Sequence, residues 1–284
     1  MRTRDQAEQF WRAFPLLRVV AILTGSVLVG TGVVELLKHY APQTIGLPLP
    51  LPTRVERPCG PASGRTAVIV VHGQSNAANY GSTRHTAREA VDNFDPASGK
   101  CFAAIDPLLG TDGYGGNVAT RLGDIIVQSG RYDRVIIIPL ARGGASMTYL
   151  NNEGTALIAD GITKLKAAGL MPTHILFQQG EADATSTTTA EEYASQLRRL
   201  VKQFRTVGVD APFYLSRGAK CDYLGPGNIS AVRAGQLAAI DEALNIRPGP
   251  DTDTIGNEGR VHDGCHMNEA GTLANAALWA AFIR

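Results

Sequence analysis

The sequence predicts an α/β domain built on a parallel sheet with helices on both faces, and three observations carry that expectation. Short apolar, β-branched runs alternate with longer segments of helical periodicity. The runs are apolar at nearly every position, as strands buried on both faces require. A polar, glycine-containing cluster follows each run, just past the carboxyl end of a strand, where an open parallel sheet collects its functional groups.

In chain order the expected strands are Thr66–His72, Arg134–Pro139, His174–Gln178 and Pro212–Leu215, each a compact apolar run bounded by polar or glycine residues. Helices are expected near Val118–Ser129, Thr155–Ala168, Ala190–Val207, Ser230–Leu244 and Ala270–Ile283, where apolar residues recur at helical spacing. The clusters between them are GQSN, ARGGAS, QGEAD and SRGAKCDYLGPGN, and DGCHMNEAG precedes the last helix. No internal repeat is present.

Ahead of this domain lies a different kind of sequence. Val19 to Val34 carries no charge, and Leu36 and Leu37 extend the run beyond Glu35. A helix needs roughly 20 apolar residues to cross a bilayer core, so the segment is long enough to span once. Arg2, Arg4, Arg12 and Arg18 precede it, which puts residues 1–18 on the cytoplasmic side and makes residues 19–37 a transmembrane signal anchor. A cleaved signal peptide is the competing reading; the long leader and the lack of an A-x-A site favour the anchor. Residues 38–64 are dense in proline and are expected to form a semi-extended linker. The domain is then residues 65–284, on the exported side.

Composition narrows the function. With 44% hydrophobic residues, 31 glycines and 284 residues in all, the chain can bury a large core, and disorder, collagen and coiled coil are excluded. Lys plus Arg number 27 against 26 Asp plus Glu, without a basic block, so no nucleic-acid partner is expected and the substrate should be small or neutral.

Ser75 in GQSN follows a strand, so its hydroxyl should stand exposed on a tight turn with its N–H near a helix start, able to attack a carbonyl. Capping that helix is its ordinary alternative role. Asp263 lies three residues before His266, a spacing that lets the carboxylate accept from Nδ1–H and present Nε2 to a hydroxyl. Acyl transfer also needs donors for the developing oxyanion. Gly143 in ARGGA can offer a backbone N–H and Gln179 a side-chain amide, although a strand-end turn and a polar rim explain them equally. Glu181 and Asp183 are read as carboxylates that hydrogen-bond loop backbone and hold the site together.

These blocks resemble the SGNH (GDSL-like) hydrolase superfamily, specifically its sialic acid-specific acetylesterase branch, also called carbohydrate esterase family six. GQSN resembles block I with Ser75 as nucleophile, PLARGGAS block II with Gly143 as oxyanion donor, QGEAD block III, and DGCHMN block V with Asp263 and His266. The likeness runs from Thr66 to Arg284. It departs at block III, where the superfamily has asparagine in G-x-N-D and this chain has Ala182. The resemblance implies that Gln179 substitutes, completing an oxyanion hole with Ser75 and Gly143. It also implies a flavodoxin-like three-layer α/β/α sandwich with a parallel sheet of about five strands, and serine esterase chemistry on O-acetylated carbohydrate without cofactor or metal. Gln74, Asn76, Arg142 and Glu181 are then candidate substrate contacts, with Asn79, Tyr114 and Asn117 further ones.

The four cysteines permit three pairings. Cys59 with Cys101 and Cys221 with Cys265 is preferred, because the second bridge would restrain the loop of His266; no C-x-x-C spacing supports zinc. Two rival functions fit the same residues. One is an O-acyltransferase acting on a glycan, and the other a membrane-tethered glycan-binding domain without activity, which would be favoured if a triad residue were missing.

Overall fold

A computed structural model of the chain describes residues 50–60 and 64–283. The transmembrane anchor expected over residues 19–37 lies outside the described residues, as does most of the linker. Among the described residues no helix is long and apolar enough to cross a membrane.

Eight strands form one sheet: β1 (Glu56–Arg57), β2 (Thr66–Gly73), β3 (Val91–Asp95), β4 (Lys100–Ala103), β5 (Arg134–Pro139), β6 (His174–Gln178), β7 (Phe213–Arg217) and β8 (Ile246–Asp251), in the order β1-β4-β3-β5-β2-β6-β7-β8. The sheet is thus larger than the five strands expected. Its six central and far-edge strands are mutually parallel, while β4 and β1 add antiparallel at one edge. Glu56–Arg57 falls within the stretch expected as linker, yet pairs with Cys101 and Phe102 of β4. Arg134 donates to Asp92 and to the carbonyls of Pro58 and Gly60, and a disulfide joins Cys59 to Cys101.

The strands are strands because their side chains serve two cores at once. In β2, Val68 and Val70 enter one cluster while Ala67, Ile69 and Val71 enter the other. The first core is closed by α2 (Met147–Asn151), α3 (Thr155–Ala167), α4 (Ala190–Thr206) and α5 (Pro226–Ala238), and the second by α1 (Val118–Gln128) and α6 (Glu269–Ala280). The result is a mostly parallel α/β sandwich of three layers. α4 starts on a capping box, Thr189 with Glu192. α5 begins four residues before the expected Ser230 because Pro226, whose missing N–H costs nothing in a first turn, opens it.

The chain passes to one side of β2 through β3 and β5 and to the other through β6, so β2 is flanked by β5 and β6. Such a reversal leaves a crevice beyond the carboxyl ends of those strands. Gly73 ends β2 at φ 131°. A Cβ there would collide with the Gln178 carbonyl, so only glycine lets the chain turn out between its neighbours.

The loop entering α1 is anchored by buried Asp106, which accepts from the Thr120 hydroxyl at 2.6 Å, the His85 N–H at 2.9 Å and the Asn117 N–H at 3.0 Å. Burial pushes its carboxyl up to about 6 from an ordinary 3.8, against the opposing hydrogen bonds of Thr120, Asn117 and His85. An acid whose folded value is raised favours folding below its unfolded value and loses that advantage as pH rises toward its folded value. Asp106→Asn can keep both backbone bonds and let Thr120 accept instead. Denaturant unfolding should therefore show wild type losing stability relative to Asp106→Asn between about pH 4 and 6, with a constant difference above; a difference independent of pH would refute this.

Candidate functional site

The crevice beyond β2, β5 and β6 is a cleft of about 440 Å³ lined by Gln74, Ser75, Tyr80, Gly143, Gly144, Ser146, Glu181, Ala182, Thr185, Tyr223, Cys265 and His266. Ser75 opens a single 3₁₀ turn, Ser75–Ala77, directly after β2. Its Oγ lies 2.9 Å from His266 Nε2, and His266 Nδ1 lies 2.7 Å from Asp263 Oδ2. Residues 191 positions apart in the chain are thereby brought into one hydrogen-bonded line.

Asp263 is fixed as well as paired. Its Oδ1 accepts from the N–H groups of Cys265 at 2.8 Å and His266 at 2.9 Å. Burial by itself would raise this carboxyl, but the His266 ring and the two N–H groups outweigh it and hold the group down to about 2. The carboxylate therefore stays ionised beside the imidazole. On the other flank the Tyr80 ring stacks on His266, centroids 5.6 Å apart at 22°. Burial and the adjacent Asp112 carboxylate push the Tyr80 phenol up to about 12.

The loop carrying Asp263 and His266 is braced from behind. The disulfide Cys221–Cys265 joins it to the loop after β7. Arg260, almost fully buried, donates to the carbonyls of Cys265, Ile255 and Thr252. Asn76 donates to Glu181 Oε1 at 2.8 Å and to the Cys265 carbonyl at 3.2 Å. Burial raises the Glu181 carboxyl, opposed by its own N–H and by Asn76.

Several expected site residues do other work. Gln179 is fully buried and is not part of the cleft wall. Its Nε2 donates to Asp183 at 2.5 Å and to the Ala145 carbonyl at 3.1 Å, and its Oε1 accepts from the Tyr193 hydroxyl at 2.7 Å. With both ends committed, the amide cannot reach a substrate as the expected oxyanion donor. Gly143 does line the cleft, but its N–H donates to Asp112 Oδ1 at 2.9 Å and Oδ2 at 3.1 Å, so it is not the open donor expected. Arg142 turns to the carbonyls of Gly110 and Ala141, and buried Asn76 is spent on Glu181; neither lines the cleft as a substrate contact. Asn79 and Asn117 tie loop backbone around Leu108 and the start of α1, and Tyr114 is exposed away from the cleft wall. Glu181 does border the cleft, and Asp183 accepts from the Met147 N–H at 2.9 Å.

Gln74, unlike Gln179, lines the cleft. Its Oε1 accepts from the N–H groups of Gly180 at 3.2 Å and Ala182 at 3.0 Å, so its amide reaches the loop where Ala182 stands. Sequence reasoning missed Tyr80, Asp112 and Tyr223; only the last lay in a cluster marked as functional, the segment between Cys221 and Pro226.

The sequence model of one family, carbohydrate esterase, sialic acid-specific acetylesterase, matches residues 65–242. Asp263 and His266 lie beyond that range. No curated protein matches the chain. Among solved structures, a protein from Arabidopsis thaliana superposes with TM-score 0.63 at 16% identity, covering 77% of this chain and 97% of that one. NanS gives TM-score 0.54 at 15% identity, with 77% and 96% covered. A family 3 carbohydrate esterase from Clostridium thermocellum gives 0.50 at 14%, with 76% and 94% covered. At these identities the likeness is one of fold.

Removing the Gln179 side chain would leave buried Asp183 and the Ala145 carbonyl each one donor short, while the Tyr193 hydroxyl retains the backbone carbonyl of residue 179, a loss of about 1–3 kcal/mol. Gln179→Ala should show that loss in urea unfolding while turnover by the folded fraction changes less than about tenfold, whereas loss of an oxyanion donor costs about 100-fold or more. A 100-fold fall in turnover at unchanged stability would return Gln179 to the reaction.

Proposed function

The chain belongs to the carbohydrate esterase family of sialic acid-specific acetylesterases and is a carboxylic ester hydrolase; from that premise we propose that it removes O-acetyl groups from carbohydrate through Ser75, His266 and Asp263. The hydrogen-bonded line from Asp263 through His266 to Ser75 carries the proposal.

In this reaction His266 Nε2 takes the Ser75 proton as Oγ attacks the ester carbonyl carbon. Asp263, ionised and fixed, keeps the imidazole in the tautomer that leaves Nε2 free to accept and favours the imidazolium that forms. His266 then returns the proton to the departing sugar oxygen, leaving acetyl-Ser75. Water, deprotonated by the same Nε2, attacks that ester, and His266 returns the proton to Ser75 Oγ as its bond to the acyl carbon breaks and acetate leaves.

Two donors suit the oxyanion. The Ser75 N–H heads the 3₁₀ turn and has no acceptor among the described residues. The Gln74 Nε2 likewise has no partner there, while its Oε1 is pinned beside Ala182. We assign the third-donor role of the missing asparagine to Gln74.

Disulfides persist in oxidising compartments, and the two here point to an extracellular or periplasmic domain. We read residues 19–37 as the anchor holding it there, with acetylated carbohydrate outside the cytoplasm as substrate.

Ser75→Ala should lower hydrolysis of 4-nitrophenyl acetate at least about a thousandfold with unfolding unchanged, His266→Ala about as much, and the double variant little more. Near-normal rates from purified Ser75→Ala protein would end the serine-esterase reading. Gln74→Glu retains the acceptor for Gly180 and Ala182 but loses the donor, so kcat should fall about 100-fold or more with KM little altered. A change in KM alone would show that Gln74 binds substrate and not the oxyanion.

A further inference from the structure

Tyr223 stands apart from the other aromatic residues near the cleft. Tyr193 is fully buried with its hydroxyl bonded to Gln179, and Tyr80 is stacked on His266. Tyr223 is 68% exposed and still forms part of the cleft wall with Ser75 and His266. Nothing in the fold requires a large ring there: it adds little to either core, and leaving it in water forgoes the burial that drives aromatic residues inside.

Its backbone is nevertheless tied down on both sides. The neighbouring Cys221 is bridged to Cys265, next to His266. The Leu224 N–H donates to the Cys221 carbonyl at 3.0 Å, closing a tight turn around the tyrosine. Gly264, at φ 61°, packs against Asp222 so closely that a Cβ would overlap its carboxylate. The backbone that carries Tyr223 is thus tied to the same loop that carries Asp263 and His266. Burial raises the phenol, and the carboxylates of Glu181 and Asp263 add to this, so the hydroxyl remains neutral at physiological pH.

Beside the Tyr80 ring, which is stacked on His266, and the small residues Gly143, Gly144 and Ala182, the wall carries the hydrogen-bonding groups of Ser146, Thr185, Glu181 and Gln74, and Glu181 Oε2 is buried without a partner among the described residues. One exposed aromatic face among hydrogen-bonding groups matches a molecule with an apolar face and polar edges, which is the form of a sugar ring.

We propose that Tyr223 is the specificity-determining platform of the cleft, on which the C–H face of the acetylated sugar stacks while its ester reaches Ser75. This rests on the esterase reading. A tyrosine has only two side-chain torsions to fix, so ordering this ring against a sugar gives contact area at small entropic cost. The stacking adds binding to the sugar and nothing to the acyl-transfer chemistry itself.

The test compares two acetate esters with the purified full-length chain: glucose pentaacetate, which presents a sugar ring, and ethyl acetate, which has none. Wild type should prefer glucose pentaacetate in kcat/KM. Tyr223→Ala should lower kcat/KM for glucose pentaacetate about tenfold, through KM, the size of one lost aromatic contact, and leave ethyl acetate within about twofold. Tyr223→Phe, which retains the face, should match wild type on both. The inference is overturned if Tyr223→Ala changes neither ester, if it slows both alike, as a residue acting only through the His266 loop would, if Phe behaves as Ala, or if wild type does not prefer the sugar ester. Wild type inert toward both esters, or Ser75→Ala as active as wild type on ethyl acetate, would instead remove the esterase reading, and this inference with it.

Discussion

The structure depends first on how the chain leaves the centre of its sheet. β2 is paired on both sides, with β5 from Thr66 to Val71 and with β6 from Ile69 to Gly73. A strand so enclosed cannot curve away gradually. It must turn at its last residue, passing close to the Gln178 carbonyl, and the Gln74 N–H then donates back to that carbonyl at 3.0 Å. This bond fixes Gln74 and Ser75 relative to β6 before any side chain of the cleft is placed. Because the strands beneath are buried on both faces, the position of Ser75 is inherited from the core, and a change in core packing would reach it directly.

The second half of the site is built on the opposite principle. Asp263 and His266 lie in an irregular loop outside the sheet, closed by an isolated bridge between Arg260 and Met267 and by the Val261 N–H on the His266 carbonyl. Side chains provide much of the rest: Arg260 ties the Cys265 carbonyl to those of Lys220, Thr252 and Ile255, Asn76 donates to the Cys265 carbonyl, Asp263 accepts from two N–H groups, and a disulfide holds the chain itself. Buried polar networks of this kind are stable only when nearly all members are satisfied. Arg260 illustrates the balance, since burial lowers its guanidinium while Asp253, Glu181, Asp263 and Asp222 raise it. Precision at His266 is therefore obtained by polar satisfaction and not by hydrophobic burial.

That contrast explains what the sequence made legible. Strands β2, β5, β6 and most of β7 were readable because burial on both faces leaves unbroken apolar runs, and the hydrogen-bonded line of Ser75, His266 and Asp263 because it depends on residue type and short spacing. β8 was not, since IRPGPD contains two prolines that only an edge strand tolerates. The VDNFD of β3 conceals a strand because Asp92 and Asn93 are buried with partners from distant segments, Arg134 and the backbone of Leu109. Which of Gln74 and Gln179 lines the cleft was invisible for a related reason. Both are glutamines beside a block of the motif, and which amide faces the cleft is decided by partners, Asp183 and Tyr193 for one and two backbone N–H groups for the other.

Asp112 completes this picture from the oxyanion side. Its carboxylate accepts from the Gly143 N–H and from the Tyr80 hydroxyl at 3.2 Å, and Tyr80 in turn stacks on His266. A donor already engaged by a full negative charge offers little to a second one forming nearby, and the two anions would repel at short range. In the proposed reaction the Gly143 N–H can therefore contribute only to the extent that Asp112 gives it up. The same contact orients the Gly143 backbone and the Tyr80 ring, so Asp112 both withholds a donor and positions the wall behind His266. The proposed oxyanion site consequently leans on Ser75 and Gln74, which are set by the sheet, more than on the loop after β5, which a carboxylate holds in place.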